Sequence, residues 1–362
     1  TSIGNHGYVG GFIGFIQGNT NQSITLSNST NNGIVSGCDD YVGGFVGVFF
    51  NNTHMTSIFS NSTNNGIITG HDDYVGGFVG LIYSITNMGL SIFNSTNKGI
   101  VTGGSRIGGF AGEFLTNTNM TIALSNFVND GNATGSGQLV GGIIGASSDN
   151  TNMTMTISNS INNCSVVGSD CVGGFVGYIS SNRDMTMTIS NTINNGTIAG
   201  NDDVGGFVGY VKDNTNMSIT ITISFNNGNV TGNGHYVGGF VGYIYGNTKV
   251  TMTISNTTNN GIITSESNFV GGFVGLIQEN KNMAMTVSNF ISDGIVTGDW
   301  NAGGFAGSIL CNNNTLMTIS QSINGADITG RDGCAGGFVG VFKDNTVMTI
   351  TISNSINNGN IT

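Results

Sequence analysis

The sequence predicts an all-β fold, a right-handed parallel β-solenoid (β-helix) of about eleven three-sided coils of 32–33 residues each. Three observations lead there. A glycine pair returns at Gly10, Gly43, Gly76, Gly108, Gly141, Gly173, Gly205, Gly238, Gly271, Gly303 and Gly336, and a fixed period over a whole chain is the mark of a repeat array. Each repeat holds a segment that alternates apolar and hydroxyl side chains with the period of a strand. The same residue types also recur in register, which rewards coils lying squarely on one another. Residues 1–362 therefore read as a single array, and because the chain starts and stops inside repeats it reads as a fragment or uncapped segment of a longer one. The parallel hand follows the rule for crossovers between parallel strands. Stacked antiparallel hairpins also fit the period, but they would not bring like residues together.

The first strand of a repeat is Val42-Gly43-Gly44-Phe45-Val46-Gly47 and its equivalents. One face carries Phe12, Phe45, Phe78, Phe110, Phe175, Phe207, Phe240, Phe273, Phe305 and Phe338, with Ile143 in the fifth place. Coils about 4.8 Å apart would set these rings at stacking distance. Val42 and Val46 lie on the other face, so the strand is apolar on both sides. That second face is expected to need cover from outside the coil.

A polar loop such as Asp149-Asn150-Thr151-Asn152 follows, and then Met153-Thr154-Met155-Thr156-Ile157-Ser158-Asn159. The alternation points Met and Ile inward and Thr and Ser outward. Continued one step further, it points Asn28, Asn61, Asn94, Asn126, Asn159, Asn191, Asn256, Asn289 and Asn354 inward, as an asparagine ladder in which each amide donates to the next. Ile223 and Gln321 interrupt that row. The third side opens on an Asn-Gly corner such as Asn65-Gly66, where the glycine is expected to supply positive φ. Val35, Ile68 and their equivalents then fill the interior.

The Val-Gly-Gly-Phe-Val-Gly block, the Thr-Ile-Ser-Asn segment and the Asn-Gly-x-Ile-Ala-Gly-type corner of residues 173–200 resemble the GLUG-motif repeats of bacterial adhesins and related surface proteins. The likeness runs along nearly the whole chain. It implies an extracellular or cell-surface location and a stalk-like or adhesive role, and it brings no catalytic residues. Phe stands where that family usually has Leu.

Composition narrows the function further. The net charge is −11, and no basic patch interleaved with aromatics occurs, so nucleic acid is not an expected partner. No apolar run is long enough for a membrane span. Charged residues make up 7% of the chain while Asn, Thr and Ser are abundant, yet the apolar residues keep fixed places, which argues against disorder. Five cysteines, Cys38, Cys164, Cys171, Cys311 and Cys334, do not recur in register. Only Cys164 and Cys171 are close enough in sequence to suggest a bridge. Acidic pairs such as Asp39-Asp40 and Asp72-Asp73 could gather Ca²⁺, and Cys38 with His71 could hold Zn²⁺; solvated loops explain both sets, and no metal or cofactor is expected. No Ser/His/Asp, Cys/His or paired-carboxylate arrangement clusters, so no catalytic residues and no enzyme are expected.

Sequons at Asn21, Asn51, Asn119, Asn152, Asn216 and Asn313 fall in loops and are candidate N-glycosylation sites. Asn28, Asn61, Asn94 and Asn256 are sequons too, but an inward side chain would not accept a glycan. The expected function is a structural subunit of an extracellular fibre or adhesive stalk, assembling with itself end to end and laterally through the Val face, with covalent glycans as further cover. The alternative is an ice- or carbohydrate-surface binder using the outward Thr and Ser rows.

Overall fold

The computed structural model describes residues 2–4, 7–38 and 40–362, with side chains from residue 7 onward. Every strand pairing among the described residues is parallel, and each joins a residue to its equivalent 32 or 33 positions along, as in Val42↔Val75 and Thr154↔Thr186. The chain is therefore a parallel β-solenoid of about eleven coils without a helix among the described residues. The ladders divide into four sheets, three of 11 strands and one of 20.

The coil from residue 172 shows why. Asp170–Gly173 belongs to one sheet and Val176–Ser180 to the next, because the chain bends at the glycine pair between them. Thr186–Ser190 and Ile193–Asn194 both join the 20-stranded sheet, and Ile198–Gly200 closes the coil. A Cβ on Gly174 would lie 2.1 Å from Gly206 O, and one on Gly173 would lie 2.0 Å from Val176 O. The bend therefore needs glycine for close backbone approach.

That bend removes the expected second apolar face. Val42 enters one interior cluster with Val35, Ile68 and Val75, whereas Val46 enters another with Phe45 and Phe49. Both valines are fully buried. A strand that looked apolar on two sides is one whose direction changes at Gly43-Gly44, so both sides face into the same solenoid, and no outside cover or lateral pairing through valine is called for.

The phenylalanine row runs through the larger cluster. Centroids lie 4.8 Å apart for Phe12–Phe45, 4.5 Å for Phe45–Phe78 and 4.7 Å for Phe175–Phe207. Phe207–Phe240, Phe240–Phe273 and Phe273–Phe305 continue the stack at 4.6, 5.1 and 5.3 Å. Phe78–Phe110 is tilted by 37°, Ile143 breaks the row, and Phe338 packs partly buried on the cluster. Phe59, Phe127 and Phe290 meet the row edge-on.

The corners depart from expectation. Gly66 does not have positive φ; a Cβ there would lie 1.9 Å from Gly33 O, so close stacking of backbone is again the reason for glycine. Left-handed backbone is supplied mainly by non-glycine residues, for example Leu139, Asp149, Asn152 and Asn159 around one coil, with φ of 62°, 55°, 51° and 49°, and by Gly18 and Gly246 in two coils. Asparagine tolerates this region better than most residues.

Candidate functional site

The asparagine row at 28, 61, 94, 126, 159, 191, 256, 289 and 354 lies outside, not inside. Each residue is exposed with φ near 50°, and the left-handed turn ends the alternation one residue before the predicted inward position. The amides still meet across coils: Asn126 Nδ2 donates to Asn94 Oδ1 at 2.9 Å and Asn191 Nδ2 to Asn159 Oδ1 at 2.7 Å. The exclusion of Asn28, Asn61, Asn94 and Asn256 as glycan acceptors on grounds of burial therefore lapses. Asn21, Asn51, Asn119, Asn152, Asn216 and Asn313 are exposed as well.

Two buried ladders take the interior role. Asn31, Asn64, Asn97, Asn129, Asn162, Asn194, Asn226 and Asn259 donate successively, Nδ2 to Oδ1, at 2.8 to 3.1 Å. A second ladder through Asn117, Asn150, Asn182, Asn214, Asn247, Asn280 and Asn312 takes both the side-chain amide and the backbone N–H of one coil to the Oδ1 of the next. The signal for both was in the sequence as recurrent asparagine one or three residues past a left-handed corner residue, but the phase shift at the corner hid which asparagine turns inward.

Cys164 and Cys171 are free and buried, and Cys38, Cys311 and Cys334 are free and exposed. Burial pushes the Cys164 thiol up to about 12. The His71 ring turns to its neighbour Asp72 at 2.8 Å. Asp39, half of the first acidic pair, lies outside the described residues.

The most chemically varied surface was not anticipated. The residue before the glycine-pair block has left-handed backbone in the coils from Tyr41 to Phe269, and in several coils its side chain folds back over the outward side chain seven positions later, as a lid. Tyr8 stacks on Phe15 at 4.1 Å and Tyr236 on Tyr243 at 4.3 Å. In the fourth coil the lid is Arg106, whose guanidinium carbon lies 4.9 Å from the Tyr74 ring centroid. Its Nη1 meets Asp73 Oδ2 at 2.5 Å, and its Nε lies 2.8 Å from the buried Glu113 Oε2, paired by charge without an aligned hydrogen bond. Burial pushes the Glu113 carboxyl up, and Arg106 opposes that shift.

In the next coils the lids shrink to Leu139, Cys171 and Asp203, over Ala146, Tyr178 and Tyr210. A groove of about 500 Å³ opens there, lined by Gln138, Asp170, Tyr178, Asp202, Asp203 and Tyr210 among others. Tyr178 and Tyr210 are tilted by 60° at 5.6 Å, so the aromatic ladder that continues to Tyr243 at 4.8 Å is broken at the groove. Asp203 is 8% exposed; Cys171 Sγ donates to its Oδ2 at 3.6 Å, and its Oδ1 has no hydrogen-bond partner. Burial raises its carboxyl to about 7, with Asp202 and Asp170 adding to the shift and Cys171 and Lys212 opposing it.

Among the described residues no helix is long and apolar enough to cross a membrane. No family model, curated protein or solved structure matches the chain.

Proposed function

We propose that the chain is a length of structural rod in an extracellular fibre or adhesive surface stalk, belonging to the same kind of repeat as the GLUG-type surface proteins it resembles. The observation that carries this reading is the unbroken coil-on-coil register, in which each coil's ladder groups and buried amides point along the axis to an equivalent coil. Such a coil accepts another of its kind from the same chain or from a second copy, so stacking has no intrinsic limit. Lateral contacts fall to the exposed row Ile34, Ile67 and Ile100, one residue per coil, rather than to the buried valines. Exposed asparagines in Asn-x-Ser/Thr settings supply glycan acceptors on the loops.

Electron microscopy of the purified full-length protein over a range of concentrations tests the reading. Rods lengthening end to end in steps of about 50 Å, eleven coils at about 4.8 Å each, are expected; discrete particles at every concentration would overturn it.

A second reading has its own observation. Thr154, Thr186, Ser218 and Thr251 pair in register beside Thr156, Thr188, Thr220 and Thr253, giving two hydroxyl rows on the outer face of one sheet. A flat hydroxyl lattice suits an ice or carbohydrate surface. Thermal hysteresis or retention on insoluble polysaccharide, lost on Thr188→Lys, is the result this reading requires.

A further inference from the structure

The lid row shows what a guanidinium gathers on this face, and two coils further on the same kinds of group, with the rings supplied by the strand beneath instead of by the neighbouring lid, stand open. The guanidinium of Arg106 lies over the Tyr74 ring between the carboxylates of Asp73 and Glu113. Two coils further on, Cys171 and Asp203 stand where the lid would be. The rings of Tyr178 and Tyr210 lose the cover that Tyr236 gives Tyr243, and three carboxylates, Asp170, Asp202 and Asp203, line the gap. The charge there is poorly matched from within: Arg106 borders the gap but is held by Asp73 and Glu113. Gln138 Nε2 donates to Asp170 Oδ2 at 2.9 Å, and Lys212, 5.9 Å from the Tyr210 centroid, is shared with Asp213 at 4.0 Å. Asp203 is more than nine-tenths buried and keeps one oxygen without a partner.

We propose that the groove over Tyr178 and Tyr210 binds a guanidinium group presented by a partner polypeptide, an arginine side chain gathering an aromatic face and carboxylates as Arg106 gathers Tyr74, Asp73 and Glu113. The aromatic faces supply a cation–π surface and the carboxylates supply charge-assisted hydrogen bonds, the combination that favours guanidinium over a neutral polar group. The acidic balance of the whole chain, −11, favours approach of a basic partner. The site is independent of the rod reading, since it occupies one stretch of one face and needs no self-assembly.

Binding also has a defined pH dependence. The groups facing Asp203 are the Cys171 thiol, the Asp170 and Asp202 carboxylates, the Lys212 ammonium and the phenols of Tyr178, Tyr210, Tyr236 and Tyr243, whose values burial raises further, so that they stay neutral across this range. A bound cation favours ionised Asp203, so affinity rises as pH passes upward through about 7.

The test uses isothermal titration calorimetry of the full chain with N-acetyl-arginine amide. Its neutral isostere N-acetyl-citrulline amide and maltotriose serve as comparison ligands. Saturable binding of the arginine probe is expected, tighter at pH 8 than at pH 6, with the citrulline probe weaker by about tenfold or more. Cys171→Tyr restores the aromatic lid found in other coils at a backbone position where tyrosine already adopts positive φ. That variant should keep the wild-type melting profile and lose binding, and Asp203→Asn should bind about tenfold more weakly with no pH dependence. Equal binding of citrulline, undiminished binding by Cys171→Tyr, or no saturable binding of the arginine probe would each overturn the proposal. Saturable binding of maltotriose alone would assign the groove to saccharides and overturn it too.

Discussion

Asp203 shows how much one buried carboxyl can weigh. Its native value of about 7 lies above the ordinary range near 4, so between those values the folded chain holds a proton that the unfolded chain has released. Stability linked to this group is therefore full below about pH 4 and is lost as pH rises towards 7. Replacing Asp203 with Asn should abolish that loss. Urea unfolding at pH 5 and pH 8 should show the variant's advantage over the wild type growing by roughly 2–3 kcal/mol between the two; an equal gain at both would place the cause elsewhere. Ile223 is a second residue in conflict with its position. It is a β-branched side chain at φ 48°, 51% exposed, in a row otherwise filled mainly by asparagine. Ile223→Asn should relieve the backbone cost and bridge Asn191 to Asn256, raising stability by about 1 kcal/mol, measured as a shift in the denaturation midpoint.

At the level of the element, the coil-to-coil unit is the amide ladder rather than the strand alone. A buried amide without a partner costs about 1–3 kcal/mol, and a ladder satisfies each amide with its neighbour. The inner ladder breaks at Ser292, where Ser292 Oγ and the Oδ1 of Asn324 in the following coil are both left without partners. Beyond the break, Asn324 Nδ2 donates to Asn357 Oδ1 at 2.7 Å. Ser292→Asn would accept from Asn259 and donate to Asn324, and should stabilise the chain by about 1 kcal/mol. Hydrogen exchange should slow in the coils on both sides of residue 292; faster exchange would mean that the smaller serine is required by packing against Gly272.

The whole molecule is a one-dimensional stack, so whole coils should be removable. Val270 pairs with Ala302 and Gly271 with Gly303. Deleting residues 271–302 joins Val270 to Gly303 in the Val-Gly-Gly-Phe sequence that most coils use. The shortened chain should fold with wild-type circular dichroism, and small-angle scattering should show a rod shorter by about 4.8 Å. Loss of the fold would show that the coils are not interchangeable units.

The repeat and its alternation determined that the chain is a parallel solenoid, which strand carries the phenylalanine row, and that Met and Ile of the second strand fill the interior. These follow from period and polarity together with like residues recurring in register, because only parallel coils set each residue on its own copy 32 or 33 positions along. Which asparagines are buried was decided by the tertiary structure. Left-handed corners at residues such as Asn159 turn the chain and reset the inward phase, so Asn162 is buried while Asn159 is exposed. The bend at Gly43-Gly44 likewise turned an apparent outer valine face into two interior clusters. The groove at Cys171 and Asp203 was not legible as a pattern, because it arises where the lid row stops repeating. Its chemistry depends on side chains seven positions apart in one coil and a full coil apart in the next, a juxtaposition that only the folded-back corner creates.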